Sequence, residues 1–201
     1  FTRVLYRPIP WIYHVHPSEE DLYAIFWQCH ARLALRNIGT AISMPQHLRW
    51  RKDHLRRLRK AHENGVTVRA NASIADNLHK RFDAKPVHTL DEMLLLQSRF
   101  PDNIIQYSAY REGHIIGGIT FYISQQVVHG QYSGTNDEGK EYGAMEAIYE
   151  QVMYQDYKDW PYLDFGSSTE EQGSVINAGL IAHKEGYGGR GVVYDTYEWE
   201  L

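Results

Sequence analysis

The chain has 201 residues, of which 43% are hydrophobic and 13% aromatic, and its formal net charge is −4. This composition is typical of a globular protein and argues against a disordered chain. No apolar run approaches the roughly 20 residues that span a bilayer, and the first residues do not resemble a signal peptide, so we expect a cytoplasmic protein without a membrane span. Because the chain has one cysteine, Cys29, an intramolecular disulfide and a cysteine-based zinc site are excluded.

Charge is divided unevenly along the chain. Residues 1–99 contain 16 Lys/Arg against 9 Asp/Glu, whereas residues 100–201 contain 5 against 16. The two parts therefore carry +7 and −11, and this asymmetry indicates an anionic partner for the basic part. The mild overall pI of 6.3 argues against general nucleic-acid binding.

The first 64 residues predict a small set of elements. Short strands are expected over residues 3–6 and 11–15, and a helix that Ser18 caps continues to Leu33, with Cys29 buried on its apolar face. A strand over residues 40–44 precedes Pro45, and a second helix is expected from there to Asn64-Gly65. Since the chain begins with Phe1 and not with a methionine, we expect it to be a piece of a longer protein.

The second helix is strongly basic. Its apolar seam is thin, and seven of its residues are Lys or Arg: Arg49, Arg51, Lys52, Arg56, Arg57, Arg59 and Lys60. This segment, Arg49 to Lys60, suits contact with the phosphates of a tRNA. The favoured alternative is a solvated helix that lies across an acidic domain.

Residues 65–201 predict a mixed α/β pattern. A strand over residues 66–70 and an ambiguous stretch over residues 73–82 precede a helix that Thr89 and Glu92 open with a capping box. Three strands follow, over residues 104–110, 115–123 and 127–134, and then a helix over residues 141–156. A strand at residues 162–165, a helix that begins near Asn177 and a last strand over residues 192–199 complete the order. This order predicts an α/β fold in which helices cover both faces of a mixed sheet.

Several short motifs in this part resemble the GNAT acyltransferase fold, and in particular its Fem-like (FemAB-type) branch. They are Gln131-Tyr-Ser-Gly134, Asp164-Phe-Gly166, Asn177-Ala-Gly-Leu180 and Lys184-Glu-Gly-Tyr-Gly188. Because members of this branch carry two such domains, the resemblance implies that residues 1–64 are the tail of a first domain with a connecting basic helix and that residues 65–201 form the second domain. It also implies two parallel strands that splay apart, with the active site at the split. It also implies an N-acyltransferase that moves an acyl or aminoacyl group to the amine of a small molecule or a cell-envelope or polysaccharide precursor.

The resemblance implies a donor co-substrate, either acyl-CoA or aminoacyl-tRNA, and no tightly bound cofactor. The stretch Asp137-Glu-Gly-Lys-Glu-Tyr-Gly-Ala144 departs from the glycine-rich pattern that holds the pyrophosphate of coenzyme A, and Ala182 stands where GNAT enzymes often have a tyrosine. Both departures favour aminoacyl-tRNA. The alternative function is a degenerate GNAT-fold binding module for a peptide, glycan or RNA.

Transfer to an amine requires a group that accepts a proton and groups that position the substrates. We expect Asp164 and Glu170 as catalytic residues because both follow the end of a central strand. The alternatives are a turn cap for Asp164 and an exposed loop carboxylate for Glu170. The residues expected to bind substrate or donor are Gln131, Tyr132, Asn177, Lys184 and Arg190.

The binding residues also have structural alternatives, which are sheet packing for Gln131 and Tyr132 and helix ends for Asn177 and Lys184. Eleven histidines, including His14 and His16, do not form a metal-ligand pattern, so no metal is expected. A serine hydrolase is excluded because the sequence has no Gly-x-Ser-x-Gly elbow.

Overall fold

The computed structural model describes residues 2–75 and 87–201. Part of the ambiguous stretch 73–82 therefore lies outside the described residues. No helix in the described ranges is long and apolar enough to cross a membrane.

The described residues are organised around an eight-stranded sheet in the order β1-β10-β2-β7-β6-β5-β4-β3. Neighbouring strands run antiparallel except β6 and β7, which are parallel. The strands are β1 (Arg3–Tyr6), β2 (Arg32–Ser43), β3 (Thr67–Ala70), β4 (Ile104–Arg111), β5 (His114–Ile123), β6 (Val127–Thr135), β7 (Tyr162–Ser167) and β10 (Arg190–Glu200). Two short strands, β8 (Thr169–Glu170) and β9 (Val175–Ile176), form a separate hairpin.

Helices cover both faces of the sheet, as the sequence predicts. The helices are α1 (Glu20–Gln28), α2 (Lys52–Glu63), α3 (Leu90–Arg99), α4 (Asp137–Tyr142), α5 (Ala144–Gln151) and α6 (Ala178–Glu185). Side chains of α2 and α5 pack on one face, where Ile119, Phe121 and Leu163 are fully buried. On the other face, Met93 of α3 packs against strand residues in a smaller cluster.

The local sequence explains several of these elements. The capping box of α3 is confirmed, since the Thr89 side chain accepts from the Glu92 N–H and the Glu92 carboxylate accepts from the Thr89 N–H. The strands predicted over residues 104–134 are also confirmed. Asn177 caps α6, because its side-chain oxygen accepts from the Leu180 N–H at 2.9 Å.

The structure corrects four predicted elements. Residues 11–15 are not a strand, because Trp11–Tyr13 close a 3-10 turn in which the Tyr13 N–H donates to the Pro10 carbonyl. The first helix ends at Gln28, since His30 takes a positive φ of 49° and the chain continues into β2. The basic helix begins at Lys52 rather than after Pro45. The helix predicted over residues 141–156 is interrupted at Gly143, which has a left-handed conformation.

Two expectations about α1 are also wrong. Its N-cap residue is Glu19 rather than Ser18, and no side chain caps its first turn. The helix contains no buried residue, and Cys29 is only half-buried. The apolar side chains of α1 therefore do not contribute to the core clusters of the described residues.

The sheet continues across the predicted boundary between residues 64 and 65. Strand β2 lies between β7 and β10 and pairs with both. Ala41 of β2 lies opposite Asp164 of β7 on one side and opposite Arg190 of β10 on the other. Residues from the first 64 positions thus form an inner strand of the same sheet that residues 65–201 build. The division of the chain into two domains stays a prediction.

Candidate active site at the parallel strand split

The only parallel strand pair among the described residues separates after three residue pairs. Strands β6 and β7 are paired at Val127 with Tyr162, Val128 with Leu163 and His129 with Asp164, and the pairing stops there. Beyond this point β7 bends at Gly166, whose φ is +70°, while its other edge continues to pair with β2. His129 and Asp164 therefore lie at the vertex where the two strands part.

Asp164 is fully buried and accepts four hydrogen bonds. Its Oδ2 atom accepts from the Tyr13 hydroxyl at 2.7 Å and from the Tyr194 hydroxyl at 2.6 Å, and it lies 2.8 Å from His129 Nδ1. Its Oδ1 atom accepts from the Gly166 N–H at 2.8 Å. One oxygen thus caps the turn that bends β7, and the other gathers three side chains around a buried negative charge.

The surroundings keep this carboxyl group ionised. Burial alone would raise the pKa of Asp164, but the hydrogen bond and charge of His129 and the two tyrosine hydroxyls outweigh burial and hold that pKa below its ordinary value. Burial and the nearby Asp164 charge raise the pKa of Tyr13 and of Tyr194, so both phenols stay protonated and act as donors.

His129 connects this buried charge to the split. Its Nδ1 faces Asp164, its Nε2 lies 3.2 Å from the Gln131 side-chain oxygen, and its side chain is 22% exposed. A carboxylate at Nδ1 fixes the ring and favours the tautomer in which Nδ1 carries the proton. In that tautomer Nε2 is an acceptor, and the Gln131 amide pairs with it when it is turned so that its NH₂ group, in place of the oxygen, faces the ring. The carboxylate thus orients the imidazole, and Nε2 is the ring nitrogen of His129 that does not face Asp164.

Lys184 stabilises the bend at the end of β7. Its Nζ atom donates to the carbonyls of Gly166 at 3.0 Å and Ser167 at 2.7 Å and to the Ser168 hydroxyl at 2.8 Å. Burial lowers the pKa of Lys184 from 10.5 to about 8. In this position the ammonium holds the carbonyls of the bulged strand rather than a carboxylate.

The structure brings only some of the sequence-predicted site residues together. Asp164 and Gln131 both contact His129, and Lys184 contacts the strand segment that follows Asp164. Glu170 is an exposed residue that accepts from the Asn177 side-chain amide at 2.7 Å.

Two further predicted residues lie elsewhere. Tyr132 is buried in the cluster with Met93, and its hydroxyl lies 2.7 Å from His88 Nδ1. Arg190 is exposed at the start of β10, where its guanidinium donates to the Gly189 carbonyl. Neither residue contacts Asp164 in the described structure.

Sequence reasoning did not identify His129, Tyr13 or Tyr194. Isolated tyrosines and histidines carry no spacing signal, and Tyr13 precedes Asp164 by 151 residues. A signal was present for His129, because it is the one imidazole on the strand predicted to lie beside Asp164.

The segment over residues 136–143, which contains α4, does not fit the pyrophosphate of coenzyme A. The Asn136 side chain already accepts from the Gly139 N–H, and a Cβ at Gly139 would lie 2.0 Å from the Ile116 carbonyl oxygen. At Gly143 a Cβ would lie 2.5 Å from the Arg57 carbonyl oxygen. Both glycines therefore serve close packing of protein backbone rather than approach of a phosphate.

The basic helix α2 has two kinds of cation. One group pairs with acids of α4 and α5, as Arg57 does with Glu146, Lys60 with Glu141 and His62 with Glu150. The second group has no ion-pair partner in the described ranges, and it comprises Arg49, Lys52, Arg56 and Arg59. Lys52, Arg56 and Arg59 are spaced by four and three residues on α2 and so lie along one exposed stripe, whereas Arg49 precedes the helix.

Comparison with solved structures identifies the fold. FemX shares 9% sequence identity, with a TM-score of 0.72 over 100% of this chain and 72% of FemX. L-PGS from Bacillus licheniformis shares 10%, with a TM-score of 0.64 over 90% of this chain and 65% of that protein. A tandem GNAT protein from the clavulanic acid biosynthesis pathway shares 9%, with a TM-score of 0.55 over 99% and 64% of the two chains.

No protein-family model matches the sequence, and no curated protein matches it. At identities of 9–10% the similarity concerns the fold alone. The predicted mixed α/β fold and its resemblance to GNAT acyltransferases are confirmed at that level. This chain has the GNAT fold, and the solved structures similar to it include FemX.

Proposed function

We propose that this chain is an N-acyltransferase in which His129, oriented by Asp164, is the general base. The observation that supports this proposal is the Asp164–His129 pair at the vertex of the strand split, with 22% of the His129 side chain exposed. An amine acceptor must lose a proton as it attacks an acyl carbonyl, and a neutral imidazole at that position accepts it.

The donor that we propose is an aminoacyl ester on RNA rather than an acyl-CoA. Gly139 in α4 and Gly143 at its end are closed by protein backbone, and the acids of this helix, Asp137, Glu138 and Glu141, already hold the nearby cations Lys140, Arg111 and Lys60. In contrast, the stripe that contains Arg56 and Arg59 on α2 carries positive charge with no acidic partner among residues 2–75 and 87–201. Transfer then forms a C–N bond and breaks the ester C–O bond. His129 moves the proton from the attacking nitrogen to the leaving ribose oxygen.

The acceptor that we propose is the amine of a cell-envelope or polysaccharide precursor. This part of the proposal rests on the resemblance to Fem-like transferases. The tyrosine hydroxyls of Tyr13 and Tyr194 are not expected to touch the acceptor, because both are engaged with Asp164. They are positioning residues that keep the carboxylate ionised and the imidazole fixed.

A thermal-shift experiment identifies the donor. Acetyl-CoA, a longer acyl-CoA and aminoacyl-tRNA are added separately, and a ligand at 100 times its Kd should add about 2.7 kcal/mol to the free energy of unfolding. We expect stabilisation by aminoacyl-tRNA alone. Stabilisation by a CoA ester would refute the donor assignment, and the absence of any response or turnover would favour the alternative of a non-catalytic binding module.

A transfer assay tests the base. His129→Gln should lower kcat by about 10²- to 10⁴-fold with little change in KM, because a general base contributes that factor to the chemical step. His114→Gln provides the matched control, since His114 is an exposed histidine at the start of the neighbouring β5. Equal activities of the two variants would exclude His129 as the base.

A further inference from the structure

We infer that the cavity beside Trp11 is a second binding site, which takes a small carboxylic acid with one apolar group of about the size of a phenyl ring. The cavity measures about 170 Å³. Tyr162 at the start of β7 lines it, whereas His129 and Asp164 do not. It lies beside the strand split, because Ala41, which also lines the cavity, pairs with Asp164 in the sheet.

The floor and walls of this cavity are apolar. Ile12, Ala41 and Val192 form a buried cluster at its base. Trp11 stands edge-on to Tyr162 with ring centroids 5.5 Å apart, and 53% of Trp11 is exposed. An apolar protein cavity of about 150 Å³ accepts a benzene ring, so this volume suits one ring or a branched aliphatic group.

A free cation stands at the rim of the cavity. Arg190 lines it, and in the described structure its guanidinium contacts the Gly189 carbonyl and no carboxylate. Arg36, on the neighbouring strand β2, instead forms two hydrogen bonds of 2.7 Å with Asp195. The guanidinium of Arg190 can therefore bind an external carboxylate through two parallel hydrogen bonds.

The backbone around the rim is fixed by close packing. Gly188 has a φ of +96°, and a Cβ there would lie 2.4 Å from the Leu48 carbonyl oxygen. Gly188 and Leu48 both line the cavity, so their contact sets its width without a ligand. Polar atoms of Ser43 and Gln46 complete the lining beside Arg190. An apolar cavity with one cation and few polar groups is the arrangement expected of a preformed small-molecule site.

The charge decides the ligand class. The carboxylate of a ligand binds the guanidinium of Arg190 and adds this interaction to the apolar contacts. A neutral amide of the same shape makes the apolar contacts alone, and Arg190 repels an ammonium group. The ligand is thus an anion with an apolar body, and it differs in charge from the amine acceptor proposed for the split.

Binding is measured by chemical-shift titration with 3-phenylpropionate, 3-phenylpropanamide and phenethylamine. We expect the acid to bind with a Kd on the order of 1 mM, as its few atoms allow, and the amide to bind at least about ten-fold more weakly. Arg190→Gln should abolish the preference for the acid, and Trp11→Ala should weaken both ligands. Arg56→Gln serves as the matched control, because Arg56 is an exposed arginine on α2.

Two results would overturn the inference. Equal binding of the acid and the amide would exclude Arg190 as a recognition element, and an unchanged acid affinity in Arg190→Gln would do the same. Acid binding should persist in His129→Gln, since His129 does not line the cavity. This variant separates failure of the cavity from failure of the transferase proposal.

Discussion

Replacing Asp164 by Asn tests whether one buried charge organises the site. The carboxylate accepts three side-chain donors on Oδ2 and a backbone N–H on Oδ1. An asparagine has the same shape, but an NH₂ group replaces one of the two carboxylate oxygens. Whichever oxygen is replaced, the NH₂ group then faces at least one of the hydrogen-bond donors that the carboxylate had accepted from. The substitution also removes the charge that the hydroxyls of Tyr13 and Tyr194 stabilise.

The expected magnitudes follow from these contacts. In the wild type, Tyr194→Phe removes a 2.6 Å hydrogen bond to a buried carboxylate and should lower the free energy of unfolding by about 1.5–3 kcal/mol. In the Asp164→Asn background the same change removes at most a neutral hydrogen bond, worth about 0.5–1.5 kcal/mol. The coupling energy between the two positions should therefore be about 1 kcal/mol or more.

Urea denaturation of the two single variants and the double variant measures this coupling. Tyr197→Phe is the control on the same strand, because its hydroxyl lies 3.3 Å from Asp195 and should contribute less than about 0.5 kcal/mol. If the effects of Asp164→Asn and Tyr194→Phe were additive, Asp164 would not be the acceptor that orders the tyrosines. The proposed orientation of His129 would then lose its physical basis.

Three further predictions concern other parts of the molecule. Because burial lowers the pKa of Lys184 from 10.5 to about 8, the folded protein binds fewer protons than the unfolded chain between these values. Lys184 should therefore contribute a rise of about 3 kcal/mol to the free energy of unfolding from pH 8 to pH 10.5. This contribution is measured as the difference between the wild type and Lys184→Met, because tyrosines with raised pKa values, such as Tyr13 and Tyr194, contribute a fall near pH 10 in both proteins. Thr89→Ala breaks the capping box of α3 and should cost about 1 kcal/mol in urea denaturation. If α2 contacts RNA, Arg56→Gln combined with Arg59→Gln should reduce the slope of log K against log salt by about 2 in a filter-binding series.

Each of these predictions has a control and a contradicting outcome. Lys140→Met should keep the pH dependence of the wild type, since Lys140 is exposed on α4, and the same pH dependence in Lys184→Met would show that Lys184 does not contribute to it. A Thr89→Ser variant keeps the capping hydroxyl and should remain near wild-type stability. An RNA affinity that is insensitive to salt would exclude the α2 stripe as the contact surface.

The sequence predicts the elements whose signals are local. The capping residues of α3 and the apolar strands β4 to β6 follow from spacing over fewer than a dozen positions, and the structure confirms them. The break at Gly143 was missed because the apolar periodicity continues across it. The left-handed turn at Gly143 is a consequence of packing against the Arg57 carbonyl of a distant helix.

The candidate site depends on contacts that local patterns do not encode. Asp164 was singled out from its place at a strand end, but its partners are set by strand register. His129 precedes it by 35 residues and meets it only because β6 and β7 pair at that position. Arg190 was expected beside the donor, whereas its place at the start of β10 puts it beside Trp11. A pattern read along one segment does not specify which segments become neighbours.

The place of β2 inside the sheet has a consequence for how the protein folds. Asp164 accepts hydrogen bonds from the hydroxyls of Tyr13, which lies 151 residues before it, and of Tyr194, which lies 30 residues after it. Closing such long loops is slow, and β10 is synthesised after the strands that it must reach. During synthesis on the ribosome, the edges of β2 that face β7 and β10 stay unpaired until late, so newly made chains are most exposed to aggregation at this stage.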